Sequence, residues 1–348
     1  LAVCKRSCTK GPGPSVPITI DLTGKDKKQT VSAKQAKKIA LEKRSGVIAA
    51  IPPNIDDITA ILREQKPDAK EIAKLEKLAD QKPPNTKSAT KLSEFYHDRG
   101  IAAGDVGRSA QEPSDFKLAV KYAEASKNNK LKYFAYGRLS TAAAGAGLFN
   151  EGLKYREKTV QNSEHSSQKI RQTAILATTQ AVLGDLPAAE KTMESVEALL
   201  SKGMPNKIWQ RYGLDLSRSA KYAQATIFSA KGEHKKATTL YKSALSDYEK
   251  YLKVAGNEKS KAYGDEVSQI LRRRLSRSLE YEGKLVEAEL VVRAALLNRL
   301  KATGLYSTWA PRVILRFADH LAIQGRFDES KQLIDVAIDV MQKLGFPE

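Results

Sequence analysis

Side chains suited to chemistry are few and far apart in this sequence. The four histidines, His97, His165, His234 and His320, are scattered over 348 residues. None has a His, Cys, Asp or Glu partner at metal-ligand spacing in a matching context. Each is expected to be solvated or packed between helices, His165 in a loop and the others on helices. Cys4 and Cys8 lie in Cys-Lys-Arg-Ser-Cys, a spacing that matches neither a zinc knuckle nor a redox pair. Two free thiols are the preferred description, with a disulfide or a lipid-bearing cysteine after Leu1-Ala2-Val3 as the alternatives. Gly145, Gly147 and Gly152 follow no strand and lack the Lys-Ser/Thr ending of a phosphate loop. Neither a GxSxG elbow nor a cysteine with a plausible histidine partner is present. No catalytic residue, metal site or cofactor is therefore expected.

Arginine is the exception to this sparseness. Arg272, Arg273 and Arg274 are consecutive and Arg277 follows, so Arg273 and Arg277, four apart, share one face of a helix. Two guanidinium groups on one face suit a carboxylate or a phosphate, because each offers a planar two-point contact. The competing description is a solvated charge run whose arginines pair with Glu280, Glu282 or Glu287.

The elements that position these side chains are helices. Hydrophobic residues make up 41% of the chain and aromatics only 7%, the balance of helices packed through small residues. The 59 basic residues exceed the 40 acidic ones by 19, a surplus that draws anionic partners by long-range attraction. Eleven basic residues against Asp21, Asp26 and Glu42 fall in the first fifty, which describes a basic arm. No stretch approaches the roughly 20 apolar residues of a membrane span. The first residue is Leu1 rather than Met, which points to a removed leader or to a piece of a longer protein. Export from a bacterial cell is favoured over a cytoplasmic location.

Three regions follow from punctuation and periodicity. Residues 1–50 form the arm, largely disordered, with at most a short strand at Ile18–Leu22 and a helix from a Ser32 cap to about Arg44. Residues 51–88 form a short helical leader, in which Asn54 caps a helix from Ile55 to Gln65 and a second helix follows Pro67-Asp68. Residues 89–348 carry a repeat.

The repeat is legible around Gly147, Gly184, Gly232, Gly283 and Gly325. Seven residues before Gly232 stands Ala225; Ala237, Tyr241 and Ala244 come five, nine and twelve after it. Ser276, Ala288, Val292 and Ala295 hold the same offsets around Gly283, and Ala318, Ser330, Ile334 and Ala337 around Gly325. A turn glycine ends one helix in a left-handed conformation, and small residues on both sides let the two helices of a hairpin approach closely. Arg99, Gly100, Ala103 and Gly107 mark an earlier copy, whose second helix is expected to resume at Asp115 after an insertion.

This pattern resembles the tetratricopeptide repeat family over residues 90–345. The resemblance implies an all-α, right-handed superhelical solenoid of about six antiparallel hairpins. Glycine spacings of 37, 48, 51 and 42 exceed the family repeat of about 34 residues, so long helices are expected. The leader, with Pro52-Pro53, Lys66-Pro67-Asp68 and Pro83-Pro84, resembles that of bacterial proteins joining such repeats to a caspase-like CHAT peptidase domain. The first helix of each hairpin then lines a concave groove. Counting from the turn glycines places Arg171, Tyr222, Arg273, Arg277 and Arg312 there. The expected function is a protein-interaction scaffold that holds an acidic or extended segment. Binding of nucleic acid or another polyanion is the alternative. The Lys and Asn set that clamps chaperone tails is missing.

Overall fold

A computed structural model of the chain describes residues 52, 54–66, 69–255 and 258–344. The strand expected at residues 18–22, the helix expected at 32–44 and both cysteines lie outside them. Among the described residues there are fourteen helices and no strand. Two belong to the leader, α1 (Asp56–Arg63) and α2 (Ala69–Ala79). The other twelve form six hairpins: α3 (Ala89–Asp105) with α4 (Gln111–Ser126), α5 (Asn129–Gly145) with α6 (Phe149–Gln161), and α7 (Ser166–Val182) with α8 (Leu186–Ser201). The array continues with α9 (Asn206–Ala230) and α10 (His234–Ala255), α11 (Glu258–Tyr281) and α12 (Leu285–Thr303), and α13 (Ala310–Ile323) and α14 (Phe327–Lys343).

Each turn is closed in the same way. Gly107, Gly147, Gly184, Gly232, Gly283 and Gly325 adopt φ between 73° and 85°, a conformation open to glycine at little steric cost. The next residue's N–H then bonds back five positions, as in Glu233 to the Phe228 carbonyl at 2.9 Å and Arg326 to the Leu321 carbonyl at 2.9 Å. Those bonds satisfy carbonyls that a helix end leaves open. Small residues flanking the turns are fully buried: Ala177, Ala189, Ala225, Ala237, Ala288 and Ala337 show no accessible surface. The wide glycine spacings arise from long helices, with 25 residues in α9, 22 in α10 and 24 in α11.

Two boundaries differ from expectation. No insertion separates α3 from α4, because α4 begins at Gln111 and carries Pro113 in its first turn. Proline is accepted there since its missing N–H would have had no partner within the helix. At the leader, α1 starts at Asp56 with Ile55 in the capping position and no side-chain cap. Asn54 acts one residue earlier, its Oδ1 accepting the Asp56 N–H at 3.2 Å.

The leader does more than precede the array. Ile55, Ile58, Ile61 and Leu62 are buried in one apolar cluster with Leu296 and Leu300 of α12, Phe317 and Leu321 of α13, and Leu333 and Val340 of α14. The α2 helix packs beside α3, where Ala79 and Leu75 meet Ala102, Ala103 and Val106. A strap of about thirty residues thus touches the first hairpin and the last two.

Candidate functional site

The sequence-derived candidates separate into two groups. Arg171 is engaged: its Nε and Nη2 donate to Asp215, which also receives Arg218 from the same helix, α9. Burial pushes the Asp215 carboxyl up, but the two guanidinium charges and their hydrogen bonds outweigh it and hold the group below its ordinary value. Arg171 is a structural strut between α7 and α9.

The others gather where α9, α11 and α13 adjoin. Arg273 and Arg312 line one cleft with Gln269, Ile270, Trp309 and Val313. The Arg312 guanidinium lies 4.5 Å from the centre of the Trp309 ring, a favourable cation–aromatic arrangement. Tyr222 is within electrostatic reach of Arg273 and Arg274. Arg277 is exposed and donates from Nη2 to Asp319 Oδ2 at 2.9 Å. The competing description pairs these arginines with Glu280, Glu282 or Glu287; among the described residues Arg277 pairs with Asp319 and Arg272 with Glu249. Glu280 instead binds Arg316 and His320, and Lys242 pairs with Glu287.

Arg273 stands apart from this network. Its guanidinium makes no hydrogen bond and no ion pair among the described residues. Desolvation lowers its pKa first, and the neighbouring charges of Arg274, Arg312 and Arg277 lower it further against the opposing effect of Tyr222. Arg273 keeps exposed surface while the neighbouring protein partly desolvates its guanidinium.

The curvature brings distant hairpins within electrostatic reach. Burial pushes the Glu112 carboxyl up, opposed by Arg312, reinforced by Asp105 and opposed again by Arg138. Glu266 of α11 is likewise raised by burial, with Arg138, Arg299 and Arg312 pulling it down and Asp105 pushing it up. Asp105 is raised by burial against Arg138. Charges from the first two hairpins and the last two therefore share one interior. No local spacing signals this set, since its members come from six helices, α3, α4, α5, α11, α12 and α13.

Two of the histidines are packed against neighbouring side chains. His320 has no accessible surface, and its ring nitrogens meet Glu280 and Gln324. The ring of His234 stacks on Tyr281 at 4.4 Å. Among the described residues no group of three His, Cys, Asp or Glu side chains could hold a metal ion. No described helix is long and apolar enough to cross a membrane.

Six consecutive hairpins, each closed at a left-handed glycine and each stacked on the next through alanine-rich faces, decide the architecture. The chain folds as a tetratricopeptide-like array. No protein-family model and no curated protein matches its sequence. Among solved structures, the tetratricopeptide-like array is similar to the Cut9–Hcn1 complex of the APC/C, at 11% identity over 90% of this chain and 52% of that one, TM-score 0.46. It is similar to a tetratricopeptide repeat protein from Parabacteroides merdae at 12% identity, over 87% of this chain and 99% of that one, TM-score 0.40. A third similarity, to Bacillus thuringiensis PlcR in complex with the peptide PapR7 and DNA, has 14% identity over 80% and 98% of the two chains, TM-score 0.42.

Proposed function

We propose that the array is a non-catalytic interaction scaffold that holds an acidic, extended segment of a partner protein on its concave side. Arg273 and Arg312 form the cationic point of contact. The observation that carries this reading is the Arg273 guanidinium, desolvated and crowded by like charges with no counter-ion of its own. A carboxylate there would relieve both the desolvation and the repulsion, and Trp309, Ile270 and Val313 offer an apolar wall beside it. Glu112 and Glu266, within reach of Arg312, would discriminate against a uniformly anionic ligand and favour a peptide of mixed charge.

The test is fluorescence anisotropy with a labelled extended Glu/Ser peptide, using the intact chain and Arg273→Gln/Arg312→Gln. A loss of affinity of about tenfold or more is expected, the size of one lost charge-assisted contact. Equal binding by both proteins overturns the reading. The polyanion alternative would show itself as tighter binding of a single-stranded oligonucleotide, with affinity falling steeply as salt is added.

A further inference from the structure

The cleft at Arg273 and Arg312 has an apolar lining that a carboxylate contact does not use. Ile270 stands three residues before Arg273 on α11, and Trp309 three before Arg312 at the start of α13. Val313 and, from α12, Ala295 complete the lining. Ala295 is twelve residues after Gly283; its counterpart in the preceding hairpin, Ala244, lies in a closed cluster with Tyr248, Val267 and Leu271. Beside Ala295 a space remains instead, enclosing about 20 Å³. A cavity of roughly 10–15 Å³ already admits one water, so this one takes a methyl-sized group and is too small for an aromatic ring.

Water is a poor occupant of that space. A buried water needs roughly two to four polar partners. Arg316, which also lines the cleft, is buried, and its guanidinium is held by Ser276, Asp319 and Glu280. A weakly held water yields to an apolar group with a gain in affinity. Arg312 is stacked on the Trp309 ring, which orders the charged rim before a ligand arrives.

We propose, on the reading of Arg273 and Arg312 as a carboxylate contact, that the cleft selects a second ligand residue: a small branched apolar side chain, valine in size, two positions from the acidic one. Three residues along a helix rise about 4.5 Å, which sets each arginine beside its apolar neighbour, Ile270 or Trp309. Alternate side chains of an extended chain share one face and lie about 6.6 Å apart. A segment lying along the cleft therefore offers a carboxylate to the arginines and the alternate side chain to the space beside Ala295, while the residue between them points away. The ligand is acidic at one position and apolar at the next but one.

Fluorescence anisotropy with the intact chain tests the pocket, using three labelled peptides of otherwise equal sequence built on Val-Ser-Glu-Ser-Val, Ser-Ser-Glu-Ser-Ser and Phe-Ser-Glu-Ser-Phe. The valine peptide is expected to bind about fivefold or more tightly than the serine peptide, and the phenylalanine peptide no more tightly than the serine one. Ile270→Ala, at a half-buried position, widens the cleft and should move the ratio of phenylalanine to valine peptide affinity upward by about threefold or more. That ratio is taken within one protein, so a lower folded fraction leaves it unchanged. Equal binding of the three peptides, lost together in Arg273→Gln/Arg312→Gln, overturns the pocket and leaves the carboxylate contact standing. A ratio unmoved by Ile270→Ala also overturns it, since the preference then arises elsewhere on the array. Failure of all three peptides to bind overturns the pocket and the carboxylate contact together.

Discussion

Arg293 on α12 grips Asp57 on α1 across 236 positions of sequence, its Nη1 lying 2.8 and 3.0 Å from the two carboxylate oxygens. The same guanidinium donates through Nε to Glu289 at 2.8 Å and through Nη2 to the Asn54 carbonyl at 2.8 Å. Glu289 in turn accepts from Gln324 and Arg326, so the leader is tied into a buried polar network that joins α12 to the last hairpin. Burial pushes the Glu289 carboxyl up, but these hydrogen bonds and charges prevail and hold it low.

Removing Arg293 should release the strap. Arg293→Leu leaves Asp57 and Glu289 without their shared partner, and losses of this type cost about 3–5 kcal/mol. Hydrogen exchange at residues 55–62 should accelerate more than in α7 or α9, while urea titration reports the global loss. Uniform exchange across the chain would show that the leader does not depend on this contact.

Asp215 is the equivalent centre for α7 and α9. Asp215→Ala strands Arg171 and Arg218 and should destabilise by about 3–5 kcal/mol. Its folded pKa is depressed, so the stabilisation it gives is present above its ordinary 3.8 and is lost as pH falls through the lowered folded value. The wild-type advantage over Asp215→Ala in thermal melts should therefore persist at pH 5 and shrink only in strong acid.

Glu266 should behave in the opposite sense. Its folded pKa is raised, so the charged carboxylate costs stability once pH passes its ordinary 4.5 and reaches full cost above the raised folded value. Glu266→Gln should melt higher than wild type at pH 7, and the two should converge below about pH 4. A variant that melts lower at neutral pH would show that attraction to Arg138, Arg299 and Arg312 prevails instead.

Arg273→Gln should raise the melting temperature of the unliganded chain, on the order of 1–2 °C, by removing a charge held among like charges. The same substitution weakens binding of the acidic peptide. A stabilising change that impairs function separates a binding residue from a structural one, whereas Arg171→Gln should lower stability and leave the peptide affinity unchanged.

The glycines Gly232, at a turn, and Gly100, inside α3, resist substitution for different reasons. Gly232→Ala places a Cβ in open space, with no atom within 4 Å, but at φ 79°, so its cost is backbone strain of about 1–2 kcal/mol. Gly100→Ala puts a Cβ 2.8 Å from the Phe116 ring, and overpacking of this kind costs about 1–3 kcal/mol. In urea titration Gly232→Asn, which tolerates the left-handed region, should recover part of the loss that Gly232→Ala shows.

The sequence by itself determined the helices, the turns and their repetition. Gly232, Ala225, Ala237 and Tyr241 act within one or two hairpins, and the conformations they permit are set by backbone sterics and side-chain volume at short range. Other features depended on the tertiary structure. Arg171 and Arg273 occupy similar places on first helices, yet Asp215 on the following first helix neutralises one, and no carboxylate reaches the other. Asp57 meets Arg293, and Glu112 senses Arg312, only because the superhelix curves its ends toward each other. Such contacts rest on the small rotation between successive hairpins, accumulated over six of them. Residue spacing carries no record of that sum.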